Sequence, residues 1–101
     1  MSFTSLEAKG LSKCLVDTQL DPEKLHLHVS EIAPGTRAHP PHTHGAVEAF
    51  YVLEGRGVIE HGDERLEIGP NEVLVLDARV LHGIENTGQT PMRYVVIITP
   101  A

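Results

Sequence analysis

Gly35-Thr-Arg-Ala-His-Pro-Pro-His42-Thr-His44-Gly-Ala-Val-Glu48-Ala-Phe-Tyr-Val-Leu-Glu-Gly55 is the stretch that decides the fold. His42, His44 and Glu48 stand at even positions, and on one extended strand even positions share a face. The run 46–53 then alternates Ala46, Glu48, Phe50 and Val52 against Val47, Ala49, Tyr51 and Leu53. Both faces are apolar apart from Glu48. A strand of that kind is covered on both sides. In so small a protein the outer cover is expected from a second subunit, so a homodimer is predicted. Tyr94-Val-Val-Ile-Ile98 has the same two-sided character.

Working outward, the chain reads as short apolar runs split at close intervals by Gly, Pro, Asn and Asp. Strands are predicted at 11–16, 25–32, 46–53, 58–61, 65–68, 73–76, 81–86 and 92–99. Helical periodicity is nearly absent. The pattern is that of an all-β sandwich or barrel. The breaks have physical causes. Pro34-Gly35 is a turn pair, Gly55 and Gly57 accept positive φ, and Gly62-Asp63 makes a tight connection. Gly69-Pro70-Asn71 and Thr87-Gly88 punctuate the later strands.

A second cluster, His82-Gly-Ile-Glu-Asn86, lies far downstream. Nothing local brings His82 to His42, His44 and Glu48, but a closed β architecture collects inward residues from several strands at one depth. Three imidazoles and a carboxylate in one space suit one divalent transition metal per chain: Fe, Mn, Ni, Zn, Cu or Co. Burying so many ionisable groups without an ion would be costly. The set offers no thiolate, which weakens a structural zinc site.

The bulk composition excludes other classes. The 101 residues carry 14 acidic and 8 basic side chains, a formal charge of −6. That disfavours nucleic acid and anionic membrane as partners. The single cysteine, Cys14, allows no internal disulfide and is expected to be a buried thiol. The first residues have neither the basic region nor the apolar core of a signal peptide, so cytoplasm is expected. One domain spans 1–101, with a core barrel over about 25–99 and an N-terminal strand segment over about 5–20.

Gly35, His42, His44, Glu48 and Gly55, followed by His82 and Asn86, resemble the two motifs of the cupin superfamily. The spacer after Gly35 is one residue longer than the family's usual pattern. Asn71 stands where the second motif has a glycine, and Asp77-Ala78-Arg79 occupies its Pro-x-Gly slot. These departures fall on turn positions, and the ligand positions are intact. The resemblance implies a small antiparallel jelly-roll barrel, commonly homodimeric, with the metal held by His42, His44, Glu48 and His82.

Phe50, Val52, Leu66 and Ile84 are expected to line a mostly apolar substrate pocket. Arg37 and Tyr94 are plausible substrate contacts, Arg37 suiting a carboxylate. His26 and His28 share a face opposite Leu25, Leu27 and Val29 and are expected to face solvent, with pocket lining as the alternative. His39 is read as a loop residue and His61 as an exposed hairpin-tip residue. The first functional reading is a metal-dependent enzyme of the oxygenase (dioxygenase) type acting on a small organic molecule. The alternatives are a non-catalytic small-molecule binder or sensor, and a metal-assisted isomerase or lyase.

Overall fold

The computed structural model describes residues 2–101, and nearly all its regular structure is β. The strands are β1 (Phe3–Ser5), β2 (Leu15–Asp17), β3 (His26–Ile32), β4 (Ala46–Glu54), β5 (Gly57–His61), β6 (Glu64–Ile68), β7 (Val73–Asp77), β8 (His82–Glu85) and β9 (Met92–Pro100). A single 3₁₀ turn, Pro22–Lys24, precedes β3. Every pairing is antiparallel. A four-stranded sheet runs β3-β9-β4-β7, a three-stranded sheet runs β6-β5-β8, and β1-β2 form a separate ribbon. This is the expected antiparallel jelly roll. No helix among the described residues is long and apolar enough to cross a membrane.

The even residues of β4 face inward. Glu48 sits beside Ile98 and Leu76, Phe50 beside Val96 and Leu74, and Val52 beside Tyr94. These rows meet Ile59, Ile68 and Ile84 of the second sheet in one buried core. Burial of such side chains contributes roughly 1.5–3 kcal/mol each.

The face of β3 turned to the core differs from expectation. His28, Ser30 and Ile32 look inward, since Ser30 lies opposite Tyr94 and Ile32 opposite Met92. The apolar residues Leu27 and Val29 look outward. Val29 is nevertheless buried, because the N-terminal segment lies over it and the Lys9 carbonyl accepts its amide at 2.8 Å. At Gly10 (φ 77°) any Cβ would stand 2.5 Å from the Val29 oxygen, so only glycine allows that approach. The strand expected over 11–16 shrinks accordingly to β2, because Leu11 turns back to bond the Ala8 carbonyl.

Two turns explain the motif departures. Asn71 has a φ of 63°, the left-handed conformation that glycine and, next, asparagine tolerate best. At the Pro-x-Gly slot, Asp77 closes the turn with its side chain. Its carboxylate accepts the Arg79 amide at 3.0 Å and the Arg79 guanidinium at 2.8 Å. Those hydrogen bonds hold the Asp77 carboxyl down at about 2.

The outer face of the four-stranded sheet is apolar and bare toward β7. Val47, Val73 and Val75 are 40%, 53% and 61% exposed. At the opposite edge the N-terminal ribbon, with Phe3, Leu6, Cys14 and Leu15, faces Leu25 and Leu27 across an apolar cavity of about 660 Å³. Cys14 is a free, half-buried thiol on that cavity rather than a fully buried one.

Candidate metal centre

His42, His44, Glu48 and His82 converge, each offering a ligand atom within 4.8 Å of the others. An ion with bonds of about 2.1 Å spans at most about 4.2 Å between ligand atoms. Small side-chain shifts therefore suffice to close the set around one ion.

The backbone places each ligand. Glu48 is the second inward residue of β4. His82 opens β8 and is buried. His42 lies before β4 and exchanges two hydrogen bonds with His82, from His42 N to His82 O at 2.9 Å and back at 3.0 Å. The His44 amide is held by the Ala78 carbonyl at 2.9 Å. Even parity thus selects the right residues, but only Glu48 stands within the strand. His42 pairs across to β8, and the chain passes from one sheet to the other between His42 and Ala46.

The hydrogen bonding leaves the site asking for a cation. The Nδ1 of His82 lies 2.9 Å from the Val80 carbonyl oxygen, which can only accept, so Nδ1 carries the proton. In the neutral imidazole Nε2 is then a bare lone pair. It is buried, has no hydrogen-bond partner among the described residues, and lies 3.0 Å from Glu48 Oε2. The same Oε2 is 3.0 Å from His44 Nε2. Two electron-rich atoms held that close in a dry site are stabilised by a shared cation. A backbone carbonyl fixing the far nitrogen of an imidazole is the arrangement that orients a metal-ligating histidine. Burial, then the neighbouring His39, His82 and His44, lowers the His42 pKa below its ordinary value, with Glu48 opposing. Its imidazole is therefore held ready as an unprotonated donor.

The remaining candidates are distributed differently. Phe50, Val52, Ile84 and Tyr94 are packed in the core, with the Phe50 and Tyr94 rings 5.9 Å apart. Leu66 stands opposite Ile59 on the edge strand β6 and is 37% exposed. Arg37 is engaged in a charge network. It pairs with Glu60 and lies 3.6 Å from Glu85, while Arg65 approaches Glu60 at 3.2 Å and Glu85 at 3.6 Å. The hydrogen bond from Arg37 pulls the Glu60 carboxyl below its usual range. His39 is exposed, its ring 4.2 Å from that of His42. Asn86 is a structural tie. It is fully buried, donates to the Ile32 and Thr90 carbonyls at 2.9 and 2.8 Å, and accepts from the Gly88 amide.

Three inward polar residues stand apart from the expected placements, His28 taking the pocket-lining alternative rather than the solvent-facing one. His61, expected at an exposed tip, stands opposite His82 on the inner side of β5, half-buried, with Nε2 unpartnered among the described residues. His28 and Ser30 line the inner side of β3. Strand parity pairs these residues with their neighbours, but only the register between distant strands shows which side is in.

A jelly roll of two facing antiparallel sheets with an interior cluster of three histidines and a glutamate defines a class of small β proteins. The chain belongs to the family described as Cupin_2, cupin domain, whose model matches residues 28–98. An oxalate-binding protein of Thermotoga maritima is 29% identical over 68 residues, which are 67% of this chain and 56% of that protein. A gentisate 1,2-dioxygenase of Haloferax sp. is 35% identical over 49 residues, 48% of this chain and 14% of that enzyme. The chain thus spans about half the length of the first relative and a small part of the second. Among solved structures, TT1209 from Thermus thermophilus has a TM-score of 0.72 at 26% identity, covering 80% of this chain and 77% of that one. The cupin domain of Schizosaccharomyces pombe Cnp3 has a TM-score of 0.75 at 15% identity, covering 98% of this chain and 64% of that one, and it supports the fold alone.

Proposed function

We propose that the protein is a cytoplasmic metal-dependent enzyme of the oxygenase type. It binds one divalent transition metal through His42, His44, Glu48 and His82 and acts on a small organic molecule. The observation that carries this reading is the bare Nε2 of His82 beside Glu48 Oε2. A metal bound there would polarise an organic ligand and, as iron, activate dioxygen. Burial and the neighbouring histidines hold the His42 imidazole below its ordinary pKa, and the buried core beneath Glu48 excludes water. The similarity to a gentisate 1,2-dioxygenase supports oxygen chemistry, over less than half of this chain.

The test is metal analysis of protein purified without added metal or chelator, followed by oxygen uptake with the iron form. Diketones, thiols, phenols and hydroxy acids make up the panel. Nitric oxide, a dioxygen surrogate, should give a new spectroscopic signal. An iron form silent to nitric oxide with ligand bound sinks the oxygenase reading.

A second reading, a non-catalytic binder of small organic acids, is favoured by the similarity to an oxalate-binding protein. Saturable ligand binding with no turnover across the panel would select it. In either case a homodimer would cover the bare outer face at Val47, Val73 and Val75.

A further inference from the structure

We propose that the bowl between the N-terminal ribbon β1-β2 and the outer face of β3 binds a small organic cation, an ammonium group carried on an apolar body. Leu25 and Leu27 line the bowl from the side of β3 opposite the inward His28. The site is therefore separate from the metal centre and stands or falls without it.

The walls come first. Phe3, Leu6, Leu15, Leu20, Leu25 and Leu27 line a cavity of about 660 Å³, a size that suits a small ligand. All but Leu27 are between 38% and 63% exposed, a concentration of apolar surface that a ligand would take out of water. The walls are fastened in place. The Leu6 amide donates to the Cys14 carbonyl at 2.9 Å, and the Val29 amide donates to the Lys9 carbonyl at 2.8 Å. On the far side Asp21 caps the 3₁₀ turn, accepting the Glu23 amide at 2.9 Å.

The charge comes second. Four carboxylate residues line the bowl, Glu7, Asp17, Asp21 and Glu23, against one lysine, Lys24. Among the described residues Glu7, Asp17 and Asp21 form no ion pair, and Glu23 meets only His26, at 3.4 Å. An uncompensated negative rim around an apolar floor attracts a cation and repels an acid. Phe3 and Asp17 are cross-strand partners on the ribbon. Such partners share a face, so an aromatic ring and a carboxylate stand side by side. An ammonium is served twice there, by the ring face and by the charge.

A second copy of the chain is the other way to cover these side chains. It would bring its own net charge of −6 toward the acidic rim, and like charges oppose that contact.

The test titrates the full chain with n-alkylammonium ions from butyl to octyl, and with n-alkanoates of equal length. Protection of Cys14 from iodoacetamide reports occupancy, because the thiol lies on the bowl. A carboxylate held at the metal centre therefore does not count. Ammonium affinity should rise about fourfold per methylene, the transfer free energy of a buried CH₂. Octylammonium should protect at about a tenth of the concentration octanoate needs, as a few partly exposed charge contacts supply. Asp17→Asn keeps an oxygen for the Gln19 amide and loses the charge, so it should cut that preference about threefold with the melting temperature unchanged. Phe3→Leu keeps the wall apolar and should weaken ammonium binding about two- to fivefold. Octanoate protecting as well as octylammonium would overturn the proposal. So would a thiol that reacts only on dilution to monomer, since a second copy would then fill the bowl. If Cys14 is inert throughout, calorimetry on Leu20→Gln decides. That exposed substitution should weaken octylammonium binding about tenfold, and unchanged binding would place the cation elsewhere and end the proposal.

Discussion

Along β4 two faces of similar composition meet different fates. Ala46, Phe50 and Val52 are buried between the sheets and carry Glu48 with them, whereas Val47 is exposed and Ala49, Tyr51 and Leu53 are half-covered. The inner face spends its apolar surface on isolating Glu48 and His82 from water, while His44 is half-buried and His42 is exposed. The outer face presents apolar side chains that are bare toward β7 among the described residues, at Val47, Val73 and Val75. Hydrophobicity alone therefore does not distinguish a face that builds a site from a face that is left bare. The distinction lies in what is embedded. A carboxylate among apolar residues marks the first, and its absence among Val47, Ala49, Tyr51 and Leu53 marks the second.

The sharpest way to break this contrast is to remove a ligand from the inner side. His82→Ala should weaken metal binding by more than about 100-fold, since loss even of a residue behind a ligand typically costs 10–100-fold. His39→Ala should bind nearly as the parent does. Elemental analysis after dialysis would show it, and the opposite ranking would mean that a different set holds the ion.

Next in size is the buried tie just past the end of β8. Asn86→Ala leaves two carbonyls and an amide unsatisfied, so it should lower stability by about 3 kcal/mol or more. Denaturant unfolding measures this directly. A loss below about 1 kcal/mol would show that water replaces the side chain and that the interior is wetter than the exposures indicate.

The outer face should respond in the opposite way. Val75→Lys should cost the isolated subunit about 0.5 kcal/mol or less, yet convert a dimer to a monomer in sedimentation. A parent protein that sediments as a monomer at micromolar concentration removes the interface and leaves the outer strip unexplained.

The smallest effect belongs to the exposed Asp77 turn. The folded pKa of Asp77, about 2, lies below the ordinary value of about 3.9. The folded state therefore binds fewer protons in that window. The stability Asp77 contributes is present above the unfolded value and is lost as pH falls toward the folded one. Asp77→Asn should melt slightly below the parent at pH 6, with the gap closing near pH 2. A gap that stays constant down to pH 2 would mean that the carboxylate charge is not what holds the turn.

Much of this was legible in the residues, for identifiable reasons. Glu48 stands out because a charged residue inside an apolar alternation has one plausible side. Asn71 reads correctly as a turn because few residues accept a positive φ. The metal-ligand set follows from residue type and spacing, although His42 reaches it by pairing with β8 rather than by strand parity. The orientation of β3 was not legible. Leu25, Leu27 and Val29 are the more apolar set, and the cover that lets them face outward comes from Lys9 and Gly10, some twenty residues away. Strand β1 escaped for a related reason, since a three-residue strand of Phe, Thr and Ser carries no alternation to read.

The mutual backbone hydrogen bonds of His42 and His82 carry a consequence for how the protein matures. No single hairpin contains both residues, and closing so long a loop comes late in a chain ordered by contact range. A polypeptide in which β4 and β8 have not met can thus offer an ion scattered imidazoles, but not the assembled cluster. On the proposed metal reading, loading would be deferred until the two sheets have met, and a bound ion would then draw the population toward the one arrangement able to keep it.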